Sequence, residues 1–383
     1  MEYAEILHRC FRCGYCKLPS DYSDLSCPSY LKYRFETFSP GGRMWLLRGW
    51  LDGQLQTSPR LQEIIYSCAA CGNCVEHCNF PKFKDHILDA FIAARGLMVE
   101  EGQVPPTVRD YFKAIQQSGN PYKAPQSARG NWAKGLDLAA YAGQEYLFYA
   151  GDVASYDERA QMMARAAVTA LKERGVDFGV LGASELADGN ETRVLGERML
   201  FEVLAQANIE QWQGLGVQKI VTVDPHAYHA IRNHYPALGG QFEVFHYSQL
   251  LAPALKAQPP AGPGRAVRVA FHDPCYLGRH NGEFKAPRKA LQATPGVELI
   301  ELPRARKNAL CCGGGGGNFF TDIVGAGPGA PARERVREAV ASGAEVLAVA
   351  CPNCLKMLSD AVKAENLDER LAVKDLAELA LGR

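Results

Sequence analysis

No stretch of this sequence comes near the roughly eighteen consecutive apolar residues of a membrane-spanning helix. The opening residues, MEYAEILHRCFRCGYC, have neither the apolar core nor the cleavage pattern of a secretory signal. An excess of either charge is also missing: Lys plus Arg and Asp plus Glu each number 42. That balance removes the electrostatic footprint expected for nucleic acid or an anionic membrane surface. The expected location is therefore the cytoplasm, with any membrane contact made through a partner. Nucleotide loops are absent too. The glycine run Gly313–Gly317 is not followed by the Gly-Lys-Ser/Thr of a phosphate loop, and GAGPGA at 325–330 misses the dinucleotide spacing and carries a proline. With no recognisable flavin or NAD site, the chain is not expected to oxidise an organic substrate alone. Finally, residues 79–274 contain no cysteine, although the chain has 13.

Those 13 cysteines are the main signal. Eight lie between Cys10 and Cys78 and five between Cys275 and Cys354. A disulfide framework fits badly, because the count is odd, the chain is large and the cytosol keeps thiols reduced. Clustered metal ligands account for them better. The remaining composition is that of an ordinary globular protein, 47% hydrophobic and 22% charged, and 383 residues suffice for two or three domains.

The texture changes along the chain. Residues 1–100 hold the first cysteine group. Between its halves, SYLKYRFETFSPGGRMWLLRGWLDGQ has apolar residues at helical spacing with a Pro-Gly-Gly break at 40–42. Residues 101–143 read as a linker with one short helix. From 144 onward, β-rich runs (EYLFYAG, FGVLG, KIVTV, FEVFHY) alternate with amphipathic segments, which argues for parallel sheets covered by helices. The pattern repeats: GVQKIVTVDPHAYHAIRNHY at 216–235 resembles GAEVLAVACPNCLKMLSDAV at 343–362, and FEVFHYSQLLAPAL resembles LAVKDLAELALGR. A Pro/Gly linker, QPPAGPGR at 258–265, separates the copies. The expected fold is thus α+β and multidomain: a helical module followed by two duplicated α/β repeats, 144–257 and 265–383.

In the first group, Cys10, Cys13 and Cys16 are spaced by two residues and followed by Cys27-Pro28. Cys68, Cys71 and Cys74 are spaced the same way and followed by Cys78. Such a triplet wraps a tight loop so that three thiolates face one centre, and a fourth from elsewhere closes the corner of a cubane. In two-cluster ferredoxins the last cysteine of each run serves the other cluster. That rule assigns Cys10, Cys13, Cys16 and Cys78 to one [4Fe–4S] cubane, and Cys68, Cys71, Cys74 and Cys27 to a second. Zinc ribbons use pairs of C-x2-C, and a triplet supplies a thiolate that tetrahedral zinc does not need. Gly14 and Gly72 lie inside the loops, where a missing Cβ lets backbone N–H groups approach the sulfurs. The ten residues between Cys16 and Cys27 imply an inserted loop and a mostly helical ferredoxin module.

In the second group Cys275 precedes Cys311-Cys312-Gly313 and Cys351-Pro352-Asn353-Cys354, each expected after a strand: VAFHDPC, NALCCG and EVLAVAC. In open α/β sheets ligands gather at the carboxyl ends of strands, so the three ends can converge. Five thiolates exceed what tetrahedral zinc takes. The order C…CCG…CPxC in a duplicated domain resembles the CCG-domain, or cysteine-rich-domain, proteins. These include heterodisulfide reductase B and D subunits and the iron–sulfur subunits of anaerobic glycerol-3-phosphate dehydrogenase, glycolate oxidase and benzoyl-CoA-reductase complexes. The resemblance implies a noncubane [4Fe–4S] cluster held by Cys275, Cys311, Cys312, Cys351 and Cys354. It further implies an iron–sulfur electron-transfer subunit of an oxidoreductase complex, relaying electrons between a flavin-containing partner and a second electron carrier or membrane subunit. The alternative it suggests is a catalytic subunit that cleaves a disulfide at the noncubane cluster.

The first repeat departs from this pattern at every ligand. Gly151-Asp152 stands where the family has Gly-Cys, Ala187-Asp188-Gly189 where it has Cys-Cys-Gly, and Asp224-Pro225-His226-Ala227 where it has C-P-x-C. Three aspartates raise the idea of a hard-cation site, but polar loop residues at strand ends are the preferred reading. His272 and His280 flank Cys275 and are read as hydrogen-bonding neighbours more readily than as proton donors. His226 is read as structural, and the Arg43/Arg48 segment as a solvated helix face.

Overall fold

The computed structural model describes residues 4–18, 25–82, 84–257 and 266–382. The segment 258–265, expected to join the two repeats, lies outside the described residues. Up to residue 118 the described elements are all helical, including Pro28–Tyr33, Pro40–Leu51, Pro59–Tyr66, Ile87–Glu100 and Pro106–Ser118. The Pro-Gly-Gly sequence opens the helix Pro40–Leu51: proline occupies the first turn, and the Ser39 side chain accepts the Gly42 N–H. Ser58 caps Pro59–Tyr66 in the same way through Leu61. Gly42 has no tolerance for a side chain, because a Cβ there would lie 2.0 Å from the Glu36 carbonyl oxygen.

The two repeats share one topology. In the first, β1 (Tyr146–Tyr149), β2 (Phe178–Val180), β3 (Lys219–Thr222) and β4 (Glu243–His246) form a parallel sheet in the order β2-β1-β3-β4. In the second, β5 (Val267–Phe271), β6 (Val297–Ile300), β7 (Val346–Val349) and β8 (Ala372–Asp375) form the order β6-β5-β7-β8. The short β-rich runs read from the sequence are these strands, and the central ones, β1, β3, β5 and β7, are the most buried. One expected strand is absent: NALCCG follows a 3-10 turn, Arg306–Asn308, and β6 ends at Ile300. Ala309 and Leu310 are buried, which accounts for their apolar character, but the Ala309 carbonyl accepts from Arg279 (2.6 Å) and belongs to no sheet ladder.

The repeats bury a common core. The helix Glu158–Lys172 presents Met163, Ala164, Ala167, Val168 and Leu171, all fully buried, in one cluster with Leu355, Leu358, Leu376 and Ala377 of the second repeat. Fully burying side chains such as Met163, Val168 and Leu171 contributes about 1.5–3 kcal/mol each. The seam is sealed by Arg159 paired with Glu378 (2.7 Å) and by the Tyr247 hydroxyl donating to Asp375. The 101–143 stretch, expected as a linker with one short helix, forms the 13-residue helix Pro106–Ser118 and a 3-10 turn, Gln126–Ala133, that buries Arg129 and Trp132.

Candidate metal centres

The five C-terminal cysteines come together at the carboxyl end of the second sheet. Cys275 follows β5, Cys311 and Cys312 lie on the loop after β6, and Cys351 is the N-cap of the helix Pro352–Ala364 after β7, with Cys354 in its first turn. All five are buried. The Cys275 and Cys311 sulfurs are 3.8 Å apart and those of Cys312 and Cys354 3.4 Å apart. The Gly313 N–H donates to the Cys311 sulfur at 3.3 Å. Two histidines border the set. His272 has a ring nitrogen within 4.8 Å of both the Cys312 and Cys354 sulfurs, and His226, from the first repeat, is as near to Cys351 and Asp224. Burial would raise the Cys351 thiol, but hydrogen bonds from Cys354 and His226 outweigh it and bring the thiol down to about 7. Soft sulfurs gathered in a dry site, with imidazoles at their edge, are the donor chemistry of an iron–sulfur cluster.

The N-terminal cysteines form two adjoining groups. Cys10 is flanked by Cys13 and Cys78, and Cys16 lies beside Cys10 and Cys13. Cys74 has Cys68, Cys71 and Cys27 as neighbours. The groups meet where Cys16 approaches both Cys27 and Cys74. Cys13 is exposed, whereas Cys27, Cys71 and Cys74 are buried. Burial pushes the Cys16, Cys27 and Cys74 thiols up, so metal loading there must release protons. Both loop glycines adopt left-handed backbone, Gly14 at φ 90° and Gly72 at φ 74°. Arg43 does not lie on a solvated helix face. Its side chain is fully buried and donates to the Ile64 and Phe38 carbonyls and the Ser29 and Ser67 hydroxyls, placing a cation beside Cys27. Sequence periodicity marked it as surface because its partners come from three other segments of the chain. Arg48 stays half-buried, paired with Asp52 at 3.8 Å.

The two cysteine regions are pressed together. The Cys71 thiol lies beside Cys311. Arg279 donates to the Cys71 and Ala309 carbonyls at 2.7 and 2.6 Å, and His280 reaches the Ala70 carbonyl at 2.8 Å. The glycine run allows this approach. A Cβ at Gly315 would lie 2.5 Å from the Ala69 carbonyl oxygen, and one at Gly316 2.2 Å from that of Cys68. Arg95, buried, donates to the Ile65, Tyr66 and Cys68 carbonyls and also to those of Val194 and Gly316, so it joins the helical region to both repeats.

The corresponding place in the first repeat is occupied by charge. Arg129 pairs with Asp152 (2.6 Å) and Glu185 (3.2 Å), and Glu185 also accepts the Ala150 and Gly151 N–H groups. Burial first, and then neighbouring carboxylates, raise Asp188 to about 7; burial likewise raises Asp224 to about 7. Among the described residues, Asp152, Asp188 and Asp224 do not come within 4.8 Å of one another as a ligand set. Arg129, Glu185 and Glu191 were not singled out in the sequence; only the offset of Glu191 from the Ala-Asp-Gly motif could have drawn attention to it.

Residues 6–80 match the 4Fe–4S dicluster domain family and residues 269–359 the cysteine-rich CCG domain family. The D-type polypeptide of the dihydromethanophenazine:CoB–CoM heterodisulfide reductase of Methanosarcina mazei is 32% identical over 82% of this chain and 76% of its own length. The chain belongs to the CCG-domain iron–sulfur oxidoreductase family. It is also 34% identical to a probable iron–sulfur-binding oxidoreductase, FadF, of Bacillus subtilis and to the EtfAB:quinone oxidoreductase of Syntrophomonas wolfei, in each case over 83% of this chain and 46% of the relative. The chain thus spans about half the length of those two relatives. The family members are named as oxidoreductases and their subunits, and the matched domains are iron–sulfur domains. Among the described residues no helix is long and apolar enough to cross a membrane.

Proposed function

We propose that the chain is the electron-relaying iron–sulfur subunit of a larger oxidoreductase, with two cubanes in a 1–100 module, a cluster-free 144–257 repeat and a noncubane cluster in the 265–383 repeat. Cys10, Cys13, Cys16 and Cys78 hold the first cubane and Cys68, Cys71, Cys74 and Cys27 the second; Cys275, Cys311, Cys312, Cys351 and Cys354 hold the noncubane cluster. Bound clusters supply one-electron donor and acceptor states. The observation that carries the reading is the succession of neighbouring thiols, from exposed Cys13 through Cys16, Cys27 and Cys74 to Cys71, which lies beside Cys311. The surface near Cys13 is the docking side for a partner: Phe11 is exposed there and Trp45 donates to the Cys10 carbonyl at 3.1 Å. A flavin-containing subunit is the expected partner, because flavins convert between one- and two-electron chemistry, and the Syntrophomonas relative is named for EtfAB and quinone.

Anaerobically purified protein is expected to hold about twelve irons and no stoichiometric zinc, as three four-iron clusters require. Cys312→Ser removes about four of them and the third paramagnetic signal, and both cubane signals stay. One zinc with about eight irons in the wild type would overturn the C-terminal assignment, and loss of the cubane signals in Cys312→Ser would overturn the partition of cysteines. A second reading, disulfide cleavage at the C-terminal site, is favoured by a cavity of about 440 Å³ bordered by Gly313, Phe319, Phe320, Lys356 and Met357. Turnover of a thiol disulfide by the purified protein with a reduced dye separates it from relay alone.

A further inference from the structure

The repeat that has lost every cysteine still reaches the thiols of its partner repeat. His226 stands in the first turn of the helix Pro225–Asn233, after β3, and its ring stacks on Tyr276 at 4.1 Å. Nδ1 is hydrogen-bonded to the Glu191 carboxylate, and the Cys351 sulfur lies within 4.8 Å of a ring nitrogen, which leaves Nε2 to face that sulfur. The other Glu191 oxygen accepts the Gly317 N–H at 2.6 Å. One pair of side chains therefore braces Cys351 and the end of the glycine loop that begins after Cys312. The second repeat makes a matching contact with its own residue. Arg335 Nε donates to His272 Nδ1 at 3.2 Å, and because a guanidinium only donates, the ring proton of neutral His272 is on Nε2. That nitrogen is buried without an oxygen or nitrogen partner, on the ring that lies beside Cys312 and Cys354.

We propose that His226, held by Glu191, is a positioning residue for the C-terminal cluster: it aims a ring N–H at the Cys351 sulfur and raises the cluster's reduction potential from across the repeat boundary. This rests on the reading that the five C-terminal cysteines hold a cluster. The physical basis is that reduction places added negative charge on the cluster sulfurs, and a donor aimed at a sulfur stabilises that charge. It also gives the cysteine-free repeat a role beyond packing.

The test is an anaerobic redox titration of the full-length protein, followed by electron paramagnetic resonance, with iron counted on the same samples. His226→Leu is expected to keep its iron and lower the third midpoint, so that the reduced-to-oxidised ratio at the wild-type midpoint falls about tenfold, about 59 mV for a one-electron couple. His226→Gln, whose amide N–H can take the place of Nε2–H, is expected to restore most of the shift. An unchanged midpoint in iron-replete His226→Leu overturns the proposal, as does His226→Gln falling as low as His226→Leu. If His226→Leu sheds the third cluster, Glu191→Gln decides: a lowered midpoint supports the proposal and an unchanged one overturns it. Wild-type protein with no third signal defeats the cluster assignment itself, and the iron count distinguishes that outcome.

Discussion

The two α/β repeats have the same strand order, and each follows its third strand with an N-cap, a proline and a helix: Asp224-Pro225 in one, Cys351-Pro352 in the other. One gathers five thiols at this end of the sheet, whereas the other pairs Asp152 and Glu185 with Arg129 and buries Asp188 and Asp224 nearby. Polar groups out of water need partners. Where the cysteines are gone, an arginine from the segment before β1 balances two of the carboxylates, and burial favours the neutral form of two others. A site can lose its metal chemistry and keep its frame, provided the polar end of the sheet is neutralised another way.

The comparison breaks most visibly at Arg129. Arg129→Met leaves Asp152 and Glu185 buried without their cation and is expected to destabilise the protein by about 3–5 kcal/mol. Anaerobic denaturation measures this, and a loss under 1 kcal/mol would mean that charge balance is not what stabilises the first repeat. Next comes Gly316→Ala. Gly316 has φ 68° and the Cys68 carbonyl where a Cβ would sit, whereas Gly182 in the first repeat has φ 57° and nothing within 4 Å. Gly182→Ala should cost roughly 1 kcal/mol from its backbone alone. Gly316→Ala should cost more than that and also perturb the spectrum of the cubane assigned to Cys68, and equal melting temperatures would refute the contrast. The smallest effect is at Asp188. Its folded value of about 7 lies above the ordinary carboxylate range, so the stability it contributes is complete in acid and is lost as pH rises towards 7. Asp188→Asn should therefore match wild type near pH 4 and exceed it at pH 8 by on the order of 1–3 kcal/mol. A stability difference that does not change with pH would sink this account.

Local pattern carried much of the fold. The β-rich runs are strands, and the duplicated motifs occupy matching positions in two identically ordered sheets. The cysteine spacings led to loops that bring thiols together. What stayed hidden depends on contacts far apart in the chain. Arg43 looked solvent-facing until Ile64 and Ser67 closed over it. Arg129 sat in a stretch read as linker, 23 residues from Asp152 and 56 from Glu185. NALCC looked like a strand because burial and sheet pairing leave the same apolar signature. The nearness of His226 to Cys351 was hidden as well, because nothing around His226 hints at a thiol 125 positions later in the chain.

The five carbonyls gathered by Arg95 also bear on how the protein is made. The Gly316 carbonyl lies 221 residues beyond Arg95. At typical rates of about 5–20 residues per second, a ribosome needs roughly 10–45 s to supply it. For most of that interval the eight N-terminal cysteines are already outside the ribosome while the glycine loop that will back Cys68 and Ala69 does not yet exist. Free thiols left uncovered for so long are open to sulfenic acid formation and mixed disulfides. Successful maturation therefore favours either a strongly reducing compartment or a delivery factor that meets the nascent chain, and the yield of fully loaded protein should fall when translation is slowed in air.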